Sequence, residues 1–167
     1  MGFWRQVLGL GDESVSVPPT PRRETPKTRT LATRAVNLGD GVGFEMGIVG
    51  ESYYGLEIKR IAGDRLKRGE EVVFTASLVR DPENQYDANA VAVIGSFGKK
   101  IGHLSRDYAI EYQALLQRLE AQGLTATCSA KMFGGTERKP SVGVWLDIEP
   151  ADVLMARFST DTAEQAF

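Results

Sequence analysis

Side chains able to do chemistry concentrate in one stretch, Arg80-Asp-Pro-Glu-Asn-Gln-Tyr-Asp-Ala-Asn-Ala-Val-Ala-Val93. Its carboxylates Asp81, Glu83 and Asp87 raise two chemistries, calcium binding and general acid–base work. A helix–loop–helix calcium loop needs a central glycine and a terminal bidentate glutamate, and the stretch supplies neither at the required spacing. A carboxylate pair for hydrolysis is unspecific, because any acidic turn provides one. The plainer reading is a turn whose Asp and Asn side chains accept from backbone amides. That reading accounts for Asp81, Pro82 and Asn89 but not for Tyr86, a large aromatic placed in a hydrophilic turn.

No nucleophile is set up elsewhere. The single histidine, His103, has no triad-like neighbours in sequence, and the single cysteine, Cys128, falls within a predicted strand as a small core residue. One Cys and one His cannot build an ordinary zinc site. Gly39, Gly41 and Gly43 are not followed by Lys and Ser or Thr, so they form no phosphate loop. The expectation is a chain with no catalytic residues, no metal and no cofactor.

The elements that must position these residues are legible from periodicity. Phe44 to Gly50 reads as a strand, and Tyr54, Ile58, Ile61 and Ala62 fall on one helix face that Gly63 can stop. Glu71 to Val79 is rich in β-branched residues, with Val72, Phe74, Ala76 and Leu78 on one side. Ala90 to Ile94 and Lys100 to Leu104 read as a hairpin turning at Gly95–Gly98. Ser105 can cap a helix from Arg106 to Gln122, whose stripe is Ala109, Tyr112, Leu116 and Leu119. Thr125 to Met132 and Ser141 to Ile148 give two more strands. The pattern predicts an α+β fold, a small OB-like or SH3-like β-barrel of five to six strands with two α-helices.

The tails read differently. Residues 1–42 form an arm and linker: Pro18, Pro19, Pro21 and Pro26 stand among Thr, Ser and Arg, too little apolar surface to offset the entropy of ordering. The basic residues there suit a solvated linker or, less simply, a tether to nucleic acid or membrane. Phe3, Trp4, Val7 and Leu8 recur at helical spacing, which suits docking on the chain's own domain or on a partner, and with Arg5 interrupting a short apolar run the segment does not read as a secretory signal. The expected domain spans 43–150, and 151–167 is a tail with a weak helical pattern at Val153, Leu154, Ala156 and Phe158. The whole chain has 167 residues and a formal charge of −2, so it will not hold duplex DNA by bulk attraction, which argues against a coat-like nucleic-acid binder. No apolar run reaches the ~20 residues of a membrane span, and the lone cysteine points to a reducing, cytoplasmic setting.

Three blocks carry a resemblance: Gly50-Glu-Ser-Tyr-Tyr54, Asp81-Pro-Glu-Asn-Gln-Tyr-Asp-Ala-Asn-Ala-Val-Ala-Val93 and Ile101-Gly-His-Leu-Ser-Arg-Asp107, with Met132-Phe-Gly-Gly135 beyond them. In order and spacing they resemble the signature blocks of the HIRAN domain family, in its standalone, bacterial-style form, over about Phe44 to Glu149. The resemblance implies an OB-like barrel that captures single-stranded DNA at its free 3′-hydroxyl end, in DNA repair or replication. It further implies that Tyr53 and Tyr86 stack on the terminal bases and that Asp87, with Asn84 beside it, accepts from the 3′-hydroxyl. By the same resemblance His103 and Arg106 face phosphates and Phe133 closes the pocket. Ser52 departs from the pattern, since the DNA-binding relatives carry Arg there. That departure and the net negative charge leave open a second class of function, a protein-interaction module without a nucleic-acid ligand.

Overall fold

The computed structural model describes residues 34–39, 41 and 43–164. Of the arm and linker expected over 1–42, residues 1–33, 40 and 42 lie outside the described residues.

Seven strands are joined in one sheet, β1 (Arg34–Asn37), β2 (Met46–Gly47), β3 (Val72–Arg80), β4 (Val91–Ile94), β5 (Lys100–His103), β6 (Leu124–Gly134) and β7 (Val142–Asp147). Among the described residues three α-helices accompany them, α1 (Gly55–Ala62), α2 (Arg106–Ala121) and α3 (Ala151–Glu164). The strand order is β2-β7-β6-β3-β4-β5, antiparallel throughout, and β1 adds a parallel pairing to β6. The sheet curls until its two ends meet. Just past β2, the Val49 amide donates to the His103 carbonyl at 2.8 Å, and the His103 amide returns a bond to the Val49 carbonyl at 2.9 Å. Gly102 permits this closure, because a Cβ there would lie 2.6 Å from Ile48 Cδ1 and 2.9 Å from the Val49 oxygen.

Alternation decides which face each strand buries. Val72, Ala76 and Leu78 of β3, Ala126, Cys128, Ala130 and Met132 of β6, and Val144 and Leu146 of β7 all point inward and are buried. Ile58 and Ala62 of α1 and Ala109, Tyr112, Leu115, Leu116 and Leu119 of α2 join the same core. The Tyr112 hydroxyl donates to the Glu149 carbonyl at 2.6 Å, which satisfies its polar end within that core. Burial pushes the Cys128 thiol pKa up to about 12, so this sulfur is a packing atom and not a nucleophile.

The α+β architecture stands, with more elements than periodicity gave. β1 lies where composition predicts linker. It occupies the length of β6 that β7 does not reach, with Thr127 Oγ1 donating to the Val36 carbonyl at 3.0 Å and Leu38 fully buried beyond it. α3 lies where a tail was expected, and it buries Ala151, Leu154 and Phe158. Arg157 ties it back, pairing with the Glu149 carboxylate and donating to the Asn37 carbonyl at 3.1 Å.

Candidate nucleic-acid interface

Two short turns flank the closure of the sheet. The first follows Gly50, whose φ of +83° lies in the left-handed region that glycine reaches without a Cβ penalty. That geometry starts a single 3-10 turn, Glu51–Tyr54, in which the Tyr53 amide donates to the Gly50 carbonyl at 3.1 Å. Tyr53 projects outward and is 88% exposed, while Tyr54 turns in so that its ring centroid lies 6.2 Å from that of His103.

The second turn joins β3 to β4. The Asp81 amide donates to the Ala90 carbonyl at 2.8 Å, and the Ala90 amide donates to the Asp87 carbonyl at 3.0 Å. Asn84 Oδ1 accepts from the amides of Tyr86 at 3.0 Å and Asp87 at 3.2 Å, and Asp87 Oδ1 accepts from Asn89 at 2.9 Å. These are side-chain mimics of backbone turns, the role that Asn and Asp fill at such positions. Gln113 of α2 donates to the Asn89 carbonyl at 2.6 Å and fixes the turn against the helix. The backbone of Tyr86 is therefore held, yet its ring is 85% exposed. A rigidly mounted, solvent-facing aromatic has no packing role to explain it.

The two turns face one groove of about 660 Å³, lined by Tyr53, Asn84, Tyr86, Asp87, His103 and Arg106 together with Val49, Gly50, Tyr54, Ala90, Lys100, Leu104 and Ala109. Six of the seven residues that the family resemblance singles out share this groove. Phe133 does not. It lies on β6 with its ring 6.4 Å from that of Trp145 and Lys139 Nζ 4.5 Å above it, so it does not line this pocket. The reason is its place in the sheet: Phe133 pairs with Gly143 on β7, and both β7 and β2 stand between β6 and the closure with β5. Ser52 lines a second groove of about 480 Å³ on the far side of the 3-10 turn, with Ile58, Lys59, Leu66, Pro140 and Val142. Lys100 is the groove cation that sequence reading did not single out; its only signal was its place at the start of a predicted strand.

Electrostatics divide the groove into fixed pairs. Lys100 Nζ contacts Asp81 Oδ2 at 2.6 Å, and that hydrogen bond holds the Asp81 carboxyl below its ordinary pKa. His103 Nε2 is buried, makes no hydrogen bond and lies 3.8 Å from the same Asp81 oxygen. Burial pushes the His103 pKa below its ordinary 6.5, with Lys100 acting in the same sense and Asp81 opposing, so the ring is neutral at pH 7. Arg106, in the first turn of α2, sets Nε 3.4 Å from Asp87 Oδ2 and remains largely exposed. The groove thus presents two aromatic faces, one carboxylate able to accept from a hydroxyl, and cationic donors for an anion. Among the described residues no group of three His, Cys, Asp or Glu side chains is placed to hold a metal ion, and no helix is long and apolar enough to cross a membrane.

Comparison with known proteins gives two matches. A family model described as the HIRAN domain matches residues 42–138. The HIRAN domain of human HLTF, known from a crystal structure, is 17% identical over 58% of this chain and 89% of that one, with a TM-score of 0.29. No curated protein matches the chain.

Proposed function

The chain belongs to the HIRAN domain family, and from that premise we propose that it is a DNA-end recognition module, binding single-stranded DNA at a free 3′-hydroxyl. One observation supports this above the others: Tyr53 and Tyr86 are both more than four-fifths exposed on hydrogen-bonded turns and face one groove with Asp87. Exposed aromatic side chains on rigid mounts suit base stacking, which contributes about 1–3 kcal/mol per base and tolerates any sequence. A carboxylate at the end of such a platform accepts from a terminal hydroxyl and repels an internal phosphate, so it selects an end. Arg106 and Lys100, with His103, supply donors for the preceding phosphates. The module acts by binding alone, in DNA repair or replication.

Fluorescence anisotropy with short single strands ending in 3′-hydroxyl or 3′-phosphate tests the reading. The hydroxyl strand binds more tightly if Asp87 selects the end. Equal binding to both, or no binding at low salt, overturns it.

A further inference from the structure

Beside the groove, the outward face of the sheet carries a row of paired residues across four strands, Gly47 on β2, Trp145 on β7, Lys131 on β6 and Val73 on β3. Their chain neighbours Met46, Leu146, Met132 and Val72 are buried, so the row faces out. Trp145 is 37% exposed and lies over the bare backbone of Gly47, where a Cβ would sit 3.7 Å from the ring. Phe133 lies over Gly143 in the same way, at 3.2 Å. A glycine opposite an aromatic residue lets the ring lie down on the sheet and present its π face instead of its edge. Covering a glycine explains the rings, and an ion pair with Glu71 accounts for Lys131, but neither accounts for Lys139. Lys139 Nζ stands 4.5 Å from the Phe133 centroid and makes no ion pair among the described residues. Lys131 Nζ stands 5.1 Å from the Phe44 ring and 3.4 Å from Glu71. Two positions along from Gly47, with the same outward parity, Val49 is 47% exposed and lines the groove itself. Val49 thus sets the groove two residues along the strand from Gly47, the residue that Trp145 covers.

We infer that Trp145 is a third stacking site for single-stranded nucleic acid, taking a base 5′ of those held in the groove while Lys131 and Lys139 meet the adjoining phosphates. The inference rests on the end-binding reading and extends its ligand along the sheet. Flat aromatic rings flanked by cations are what a single strand needs, since every base has a π face and every linkage a charge.

The test uses the full chain with Trp4→Phe, which leaves Trp145 as the only tryptophan of two. It is titrated with 3′-hydroxyl oligothymidylates, one of two nucleotides and one of about ten. The longer strand is expected to quench Trp145 and to bind more tightly than the short one. Trp145→Ala is expected to weaken the longer strand by about 5- to 150-fold, the range a single stacked base spans, and to leave the short one unchanged. Lys131→Gln with Lys139→Gln is expected to lower the salt slope of the longer strand by about 1.4, at about 0.7 per phosphate contact. Tight binding of the longer strand with Trp145 emission unmoved overturns the third site and leaves the end-binding reading standing. Failure of both strands to bind overturns both. Quenching is read on Trp145 itself, so the test holds whether or not Trp145→Ala folds.

Discussion

Tyr86 separates two physical roles that an aromatic can have in a turn. A Tyr packed into a barrel costs about 3–5 kcal/mol when truncated, whereas this ring is 85% exposed and its backbone is held by Asn84. Tyr86→Ala is therefore expected to leave the melting temperature nearly unchanged while weakening single-strand binding by about 1–3 kcal/mol, read from thermal melts beside anisotropy curves. Asp87 has a dual duty, accepting from the Asn89 amide through Oδ1 and lying 3.4 Å from Arg106 through Oδ2. Asp87→Asn keeps an acceptor for the turn and removes the charge, so the preference for 3′-hydroxyl over 3′-phosphate should collapse without unfolding. His103 sets the pH dependence. Its folded pKa lies below the unfolded value near 6.5, so the unfolded chain binds the proton more readily. Its contribution to stability is complete above that value and is lost as pH falls through the folded pKa. Binding runs the other way, because a phosphate beside the ring favours the imidazolium. Lowering pH from about 8 to about 6 should strengthen single-strand binding, and in His103→Gln that gain should vanish.

At the scale of elements, the helix α3 and the strand β1 carry structure that composition hid. β1 contributes only four residues, Arg34–Asn37, of which Val36 alone is half-buried against the core, too little for an apolar alternation to show. Its place is fixed by backbone pairing to β6, a term that side-chain patterns do not encode. α3 was visible as a weak pattern, and it becomes a helix because Leu154 and Phe158 find the edge of the core. Leu154→Ala should cost about 2–5 kcal/mol by denaturant unfolding, the cost of a core residue and not of a tail. The remaining elements were legible because their periods are strong: the alternation of Val72 to Leu78, the hairpin glycines, and the Ala109–Leu119 stripe on α2. The turn of Asp81–Ala90 was legible as chemistry and as structure at once. What sequence could not give was the meeting of Tyr53 with Tyr86, because 33 positions separate them and only the closure at Val49 and His103 brings their turns together. The resemblance carried that pairing in, and it placed Phe133 in the same pocket, where its position in the sheet does not put it.

For the whole molecule, charge limits how nucleic acid can be held. A chain of net charge −2 offers no long-range attraction to a polyanion. Each cation of the groove stands beside a carboxylate, Lys100 by Asp81 and Arg106 by Asp87, so the groove offers donors with little net positive charge. Affinity must then come from stacking more than from released counterions. The expected signature is a shallow salt dependence, a slope of about −1 to −3 in log affinity against log salt, at about 0.7 for each phosphate contact. A slope several times steeper would mean that another, basic part of the chain carries the binding.

The reciprocal bonds between Val49 and His103 are two in number, and they join the first and last parts of the sheet beside both turns. A join so short is where the barrel breathes, since opening it breaks two bonds while the longer β3–β6 ladder stays intact. In native-state hydrogen exchange the amides of Val49 and His103 should exchange faster than those of β3. A strand whose bases rest on Tyr53 on one side and Tyr86 on the other would act as a clasp across that opening. Its arrival should slow exchange at these two amides more than anywhere else, which turns the barrel's weakest joint into a reporter of a captured end.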